Sequence, residues 1–150
     1  MLARPPRGPL KARKLVDYSL QLYASHDYLD HHQGIERPED IARHRFIGYV
    51  PDIIYAPQLR YLDELPLPPK ATLRSSSINA QYRMITAGGG IGILPNFIAR
   101  NGSRLRLQLP DFRIERSFWL VTHHDTRGFP AVAAFVDWLV ALVERHRDEF

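Results

Sequence analysis

The chain has 150 residues, 45% of them hydrophobic, enough for one ordinary domain with a packed core. It contains no cysteine, which excludes a disulfide framework and a thiolate metal site. A formal charge of +4 invites a nucleic-acid reading, but no helix-turn-helix pattern, zinc finger or aromatic RNA-binding motif accompanies it.

Residues 1–14 place Arg4, Arg7, Lys11, Arg13 and Lys14 ahead of the first acid, Asp17. Farther on, acids and bases are interspersed, so this segment reads as a solvated basic lead-in rather than a DNA-contacting arm. It has no continuous apolar run of the kind a signal peptide needs. No later segment reaches the ~20 apolar residues of a membrane-spanning helix. A soluble, cytoplasmic protein without a membrane partner is expected.

Leu15 to Ala24 alternates Val16, Tyr18, Leu20 and Leu22 with Asp17, Ser19, Gln21 and Tyr23, the period of a strand with unlike faces. Ser25 is placed to cap a short helix containing Tyr28 and Leu29 and ending at Gln33-Gly34. Pro38, Glu39 and Asp40 suit the start of a second short helix, and Arg43 and His44 its end. Arg45 to Val50 is a nearly continuous apolar run stopped by Pro51, as expected of a central parallel strand. From Asp52 to Lys70 the pattern weakens. Leu59, Leu62 and Leu65 fit the inner side of a short helix, and Pro66, Pro68 and Pro69 require an extended connector.

Ala71 to Arg100 is the most informative stretch. Ala71–Arg74 reads as a short strand, and Ser75, Ser76 and Ser77 offer hydroxyls suited to capping a helix start. Ile78, Tyr82 and Ile85 then share one helical face over about three turns, and Gly88 stands where a left-handed residue ends the helix. Ile91 to Leu94, stopped by Pro95, reads as a strand buried on both faces. Leu105, Leu107 and Leu109 alternate with polar residues as a strand with one wet face. Phe118 to Val121 is apolar on both sides, as an interior strand. Val132, Phe135, Val136, Leu139, Leu142 and Val143 form the apolar face of a last helix. Strand followed by helix, repeated, gives the class α/β.

The run from Ala87 to Pro95, Ala-Gly-Gly-Gly-Ile-Gly-Ile-Leu-Pro, following a helix, resembles the second half of the effector-binding domain of LysR-type bacterial transcriptional regulators. Leu22–Leu29, Arg37–Tyr49 and Phe118 to the end resemble that family in the same order, so the likeness covers nearly the whole chain. It implies a periplasmic-binding-protein-like subdomain, a mostly parallel sheet flanked by helices, over residues 15–117. Residues 118–150 would be the returning strand and C-terminal helix of a second, incomplete subdomain, and 1–14 a lead-in or crossover. It implies further a small-molecule, anionic effector, a homo-oligomer, and DNA contact only through a winged helix-turn-helix domain outside this chain. No cofactor or bound metal is called for.

In open α/β sheets ligands bind beyond the carboxyl ends of strands, near free helix amides. Two places fit. Tyr49, Val50 and Pro51 follow the apolar strand, and Ser75, Ser76, Ser77 and Asn79 open the central helix. Gly90 and Gly92 would permit close backbone approach to a ligand there. Serines also cap and glycines also turn without any ligand, and the resemblance offers a subunit interface as the alternative role of the helix the serines open. The rival readings are a histidine- or metal-dependent hydrolase and a free-standing solute-binding module. His26 with Asp30 and Asp27 with His31 have i, i+4 spacing, and His32, His123, His124 and Asp125 add donors, but no metalloenzyme motif surrounds them. Ser76, His123 and Asp125 supply a triad's residue types without a nucleophile elbow.

Overall fold

The computed structural model describes residues 1–5, 8–100, 104–126 and 128–150, so Arg7 of the basic lead-in lies outside the described residues. The chain divides into two units, Met1–Tyr18 with Glu115–Phe150, and Ser19–Ile114. Strand β1, Leu10–Ser25, starts within the basic segment and contributes to both.

In the larger unit β1 is followed by helix α1 (His26–Leu29), a 3-10 turn at Pro38–Arg43 and strand β2 (Phe46–Gly48). Short 3-10 turns at Pro51–Ile53, Pro57–Leu59 and Tyr61–Glu64 lead to strand β3 (Ala71–Arg74), helix α2 (Ile78–Thr86) and strand β4 (Ile91–Pro95). Helix α3 (Asn96–Ala99) and strand β5 (Leu105–Gln108) complete it. The strands run β3-β2-β4-β1-β5 across the sheet. Strand β2 is parallel to β3 and to β4, whereas β1 is antiparallel to β4 and β5, with Leu22 opposite both Ile93 and Gln108.

Local chemistry explains the central strand-helix-strand unit. The Ser77 hydroxyl accepts from the Ala80 amide at 3.4 Å, satisfying one free donor of α2. Gly88 at φ 78° ends the helix in the left-handed conformation, and the Gly89 amide closes on the Met84 carbonyl at 2.9 Å. Ile85 packs with Tyr23, Ile47, Leu94 and Ala99, and Ile78 and Tyr82 lie against that cluster. Each large side chain buried this way contributes roughly 1.5–3 kcal/mol.

In the larger unit four expectations need correction. Ser19 and Tyr23, assigned to the wet face of β1, are buried, because neighbouring strands flank this part of β1 and the Asn96 side chain, bonded to Ser19, Gln21 and Tyr23, covers their face. Helix α1 stops before Asp30 rather than at Gln33-Gly34, since the imidazoles of His31 and His32 bond back to the carbonyls of Asp27 and Tyr28. Strand β2 ends at Gly48, whose carbonyl accepts from the Ser75 amide at 3.0 Å before the chain turns. In β5 it is Leu107 that is 38% exposed and Gln108 only 4%. The Gln108 side chain accepts from the Ile35 amide at 3.0 Å and donates to the Leu107 carbonyl at 2.9 Å, and that pairing fixes which face turns inward.

The smaller unit holds the first part of β1, strand β6 (Ile114–His123) and helix α4 (Pro130–Arg145). Phe118 stacks on Tyr18 with centroids 4.3 Å apart. The Met1 ammonium donates to the Trp119 carbonyl at 2.7 Å, and the Trp119 amide to the Met1 carbonyl at 2.8 Å. Expected to be interior, Phe118–Val121 is half-buried. Between Ala131 and Val143, α4 has only one polar residue, Asp137. Phe135, assigned to its inner face, is 55% exposed and Trp138 57%.

Two glycines of the run after α2 are required by close contacts of unequal severity. Gly90 has φ 151°, and a Cβ there would stand 2.5 Å from the Arg45 carbonyl oxygen. A Cβ at Gly92 would meet the end of the Ile85 side chain at 2.6 Å and the Ile47 carbonyl at 3.1 Å. Gly90→Ala is expected to lower the unfolding free energy by about 2–3 kcal/mol, and Gly92→Ala by less, because Ile85 can re-pack. Urea denaturation measures both, and equal losses would rule out the Arg45 carbonyl as the controlling contact.

Candidate functional site

Where β2 and β3 end side by side, the chain leaves the sheet at Tyr49 and a cavity of about 180 Å³ opens. Its floor is the sheet itself, at Ile47, Gly48 and Ile93. The turns after Pro51 supply the walls through Ile54, Leu59, Tyr61 and Leu62. Those turns hold position because Leu59, Tyr61 and Leu65 are buried beneath them. The proline connector then returns the chain so that Pro69, Lys70 and Ala71 close the other side.

Apolar and aromatic surface dominates the interior, with Tyr49 and Tyr61 meeting edge to face at 5.8 Å. The polar lining is unbalanced: Arg60, Lys70 and Arg74 against the single carboxylate of Asp63. Arg60 lies 3.9 Å from that carboxylate, both largely exposed, so water screens the pair and it neutralises little. Arg74 Nε donates to the Ala71 carbonyl at 3.2 Å, which orients the guanidinium. Gln81, buried on α2, completes the lining. A small anion with an apolar body matches this combination.

Of the residues singled out from sequence, Tyr49 and Pro51 line the cavity, and Val50 sits half-buried between them. The serine group is engaged in capping. Ser75 Oγ accepts from the Ser77 amide at 3.1 Å and Ser77 caps α2, while Ser76 and Asn79 are exposed; none of the four lines the cavity. Beside Gly90 and Gly92 the space expected to admit a ligand is filled by the Arg45 carbonyl and by Ile85. Arg60, Lys70, Arg74 and Gln81 were not anticipated. The signal for Gln81 lay in the spacing Ile78, Gln81, Tyr82, Ile85, which puts a polar residue on an apolar helical face. The three cations carried no local signal.

A family model described as the LysR substrate binding domain matches residues 1–144. The chain belongs to the LysR substrate-binding domain family. Among curated relatives it is similar to the HTH-type transcriptional regulator PtxR of Pseudomonas aeruginosa, 28% identical over 143 residues, covering 90% of this chain and 45% of the relative. The chain thus spans about half the length of that protein. Among solved structures, the regulatory domain of the LysR-type transcriptional regulator CrgA from Neisseria meningitidis superposes with a TM-score of 0.81 at 22% identity, covering 93% of this chain and 72% of that one. The full-length virulence activator AphB of Vibrio cholerae gives 0.77 at 20% identity, covering 94% of this chain and 50% of that one. These likenesses establish the α/β regulatory-domain fold. Among the described residues, no helix is long and apolar enough to cross a membrane.

Several histidines of this LysR domain have structural partners. His31 and His32 bond to helix carbonyls, and His123 lies 3.4 Å from the Asp125 carboxylate. Among the described residues no group of three or more metal-ligating side chains comes together. Ser76 lies in the larger unit and His123 and Asp125 in the smaller. Tyr28 stacks on His32 at 4.1 Å, its hydroxyl is 3.2 Å from His44 Nδ1, and that hydroxyl accepts from the Arg45 amide at 3.3 Å. Burial, with smaller contributions from His32 and Arg43 and an opposing one from Asp40, holds His44 below the ordinary imidazole value of 6.5. The unfolded chain therefore binds the His44 proton more readily. Stability should be present above pH 6.5 and fall as the pH drops through 6.5 toward the lower folded value. Urea midpoints measured from pH 8 to 5 test this: His44→Phe should flatten that segment of the curve, and an unchanged slope would assign it to another group.

Proposed function

We propose that this chain is the effector-sensing part of a LysR-type transcriptional regulator, with a small anionic metabolite bound in the cavity at the end of β2. The observation that carries this reading is the meeting of Arg60, Lys70 and Arg74 around a tyrosine-lined apolar cavity beyond the carboxyl ends of parallel strands. Family membership and the regulator names of PtxR, CrgA and AphB support it. Residues 15–117 then form the effector-binding subdomain, and 118–150 the strand and helix returning to a second one. The ligand favours one arrangement of the regulator over another, and the coupling it transmits equals its difference in affinity for the two. DNA contact is made by a domain outside this chain, within a homo-oligomer, and no bond is made or broken in the ligand.

A thermal-shift screen against small aliphatic, aromatic and amino-acid carboxylates, with divalent metals alongside, should find a carboxylate whose stabilisation grows with the logarithm of its concentration. Arg74→Ala or Lys70→Ala should weaken that ligand by about tenfold, the worth of one charge-assisted contact. Tyr49→Ala should weaken it as well, and His26→Ala and His31→Ala should leave it unchanged. A melt unmoved by every carboxylate would refute the cavity as an effector site, and a metal response lost in the histidine variants would favour the metal-dependent reading instead. With a DNA-binding domain attached, operator affinity should change with the ligand.

A further inference from the structure

Gln81 is 2% exposed, yet it lines the cavity from the inner face of α2. Its Nε2 donates to the Ser75 carbonyl at 3.1 Å. Only the amide nitrogen can make that bond, so the orientation of the group is fixed and Oε1 points the other way. Among the described residues no donor reaches Oε1, and the atom is not sealed inside the protein. A nearly buried amide oxygen on a cavity-lining residue is therefore left without a protein partner among the described residues. Such an acceptor is unfavourable unless a bound group or water supplies a proton to it.

Taking the cavity as the ligand site proposed above, we infer that it selects hydroxycarboxylic acids with an apolar or aromatic body. The carboxylate meets the rim formed by Arg60, Lys70 and Arg74. The body packs on Tyr49 and Tyr61. The hydroxyl donates to Gln81 Oε1. A neutral hydroxyl is favoured over an ammonium as that donor because the lining carries three cations and one carboxylate, so a positive charge on the ligand would be repelled. Gln81 is thus a specificity-determining residue: a carboxylate without a donor leaves its oxygen unpaired and binds less well.

Matched compounds test the inference by calorimetry or thermal shift at fixed ionic strength. Mandelate, phenylacetate and phenylglycine form one set, and benzoate with its 2-, 3- and 4-hydroxy derivatives another. In at least one set the hydroxylated acid should bind about tenfold more tightly than its parent, and phenylglycine should bind more weakly than mandelate. Gln81→Leu should abolish the advantage by lowering affinity for the hydroxylated acid about tenfold more than for the parent. Gln81→Met, unbranched and of similar length, serves the same purpose should the leucine variant fold poorly. Parent and hydroxylated acids binding within threefold of one another in both sets of the unaltered protein would overturn the inference, as would an advantage that persists in both variants. Carboxylate binding with no hydroxyl preference would leave the effector cavity standing and remove this selectivity; failure of every acid to bind would remove the cavity reading itself.

Discussion

Strand β2, only Phe46–Gly48, is the constraint on which the larger unit depends, because two parallel neighbours must reach it from either side. On one side β4 comes close enough that the Ile91 amide bonds to the Arg45 carbonyl at 2.9 Å, with Gly90 passing beside the same oxygen. On the other, the Gly48 carbonyl holds the Ser75 amide and thereby places the start of α2. Phe46 and Ile47 are fully buried between these neighbours. So short a strand cannot continue past Gly48, and its abrupt end leaves the opening that the turns from Pro51 to Glu64 enclose. The cavity is a consequence of strand pairing rather than a separate construction.

How much of this could be read from sequence follows the range of the interactions involved. The Ser77 cap, the Gly88 stop, the apolar run Ile91–Pro95 and the strand Ala71–Arg74 are local, and they stand where the residues themselves indicate. The family likeness carried by the glycine run agrees with the match over residues 1–144. Local signal failed where a distant partner decides. Gln108 is buried because Ile35 needs an acceptor, and Ser19 because Asn96 bonds to it at 2.8 Å. Neither partner lies within seventy positions along the chain.

The same distinction governs the candidate site. Tyr49 and Pro51 were legible because they follow an apolar strand, and strand ends are where α/β proteins bind ligands. The serines satisfied every local criterion for anion binding, yet Ser75 and Ser77 are engaged with amides at the start of α2 and Ser76 is exposed. Hydroxyls at a helix start fit both roles, and only the direction of their hydrogen bonds separates them. Arg60, Lys70 and Arg74 come from a turn, the end of the proline connector and a strand end, a stretch whose prolines erase periodicity. Their convergence is a property of the folded path.

Two kinds of wall meet in the cavity, and that difference bears on sensing. Ile47, Ile93 and Gln81 belong to the paired core and cannot shift without breaking strand or helix contacts. Tyr49, Arg60 and Tyr61 lie in or beside 3-10 turns whose backbone bonds measure 3.0 to 3.4 Å, two to a turn, a geometry weaker than that of an α-helix. A ligand held by both walls must order the turns against a frame that does not yield. On the proposed reading, the free energy such a ligand would transmit comes from that ordering and from its preference for the ordered arrangement. Rigid groups therefore suit recognition of the ligand's shape and donor, and the turns suit the response. On the proposed reading, Gln81 would lie on the recognising side and Arg60 on the responding side.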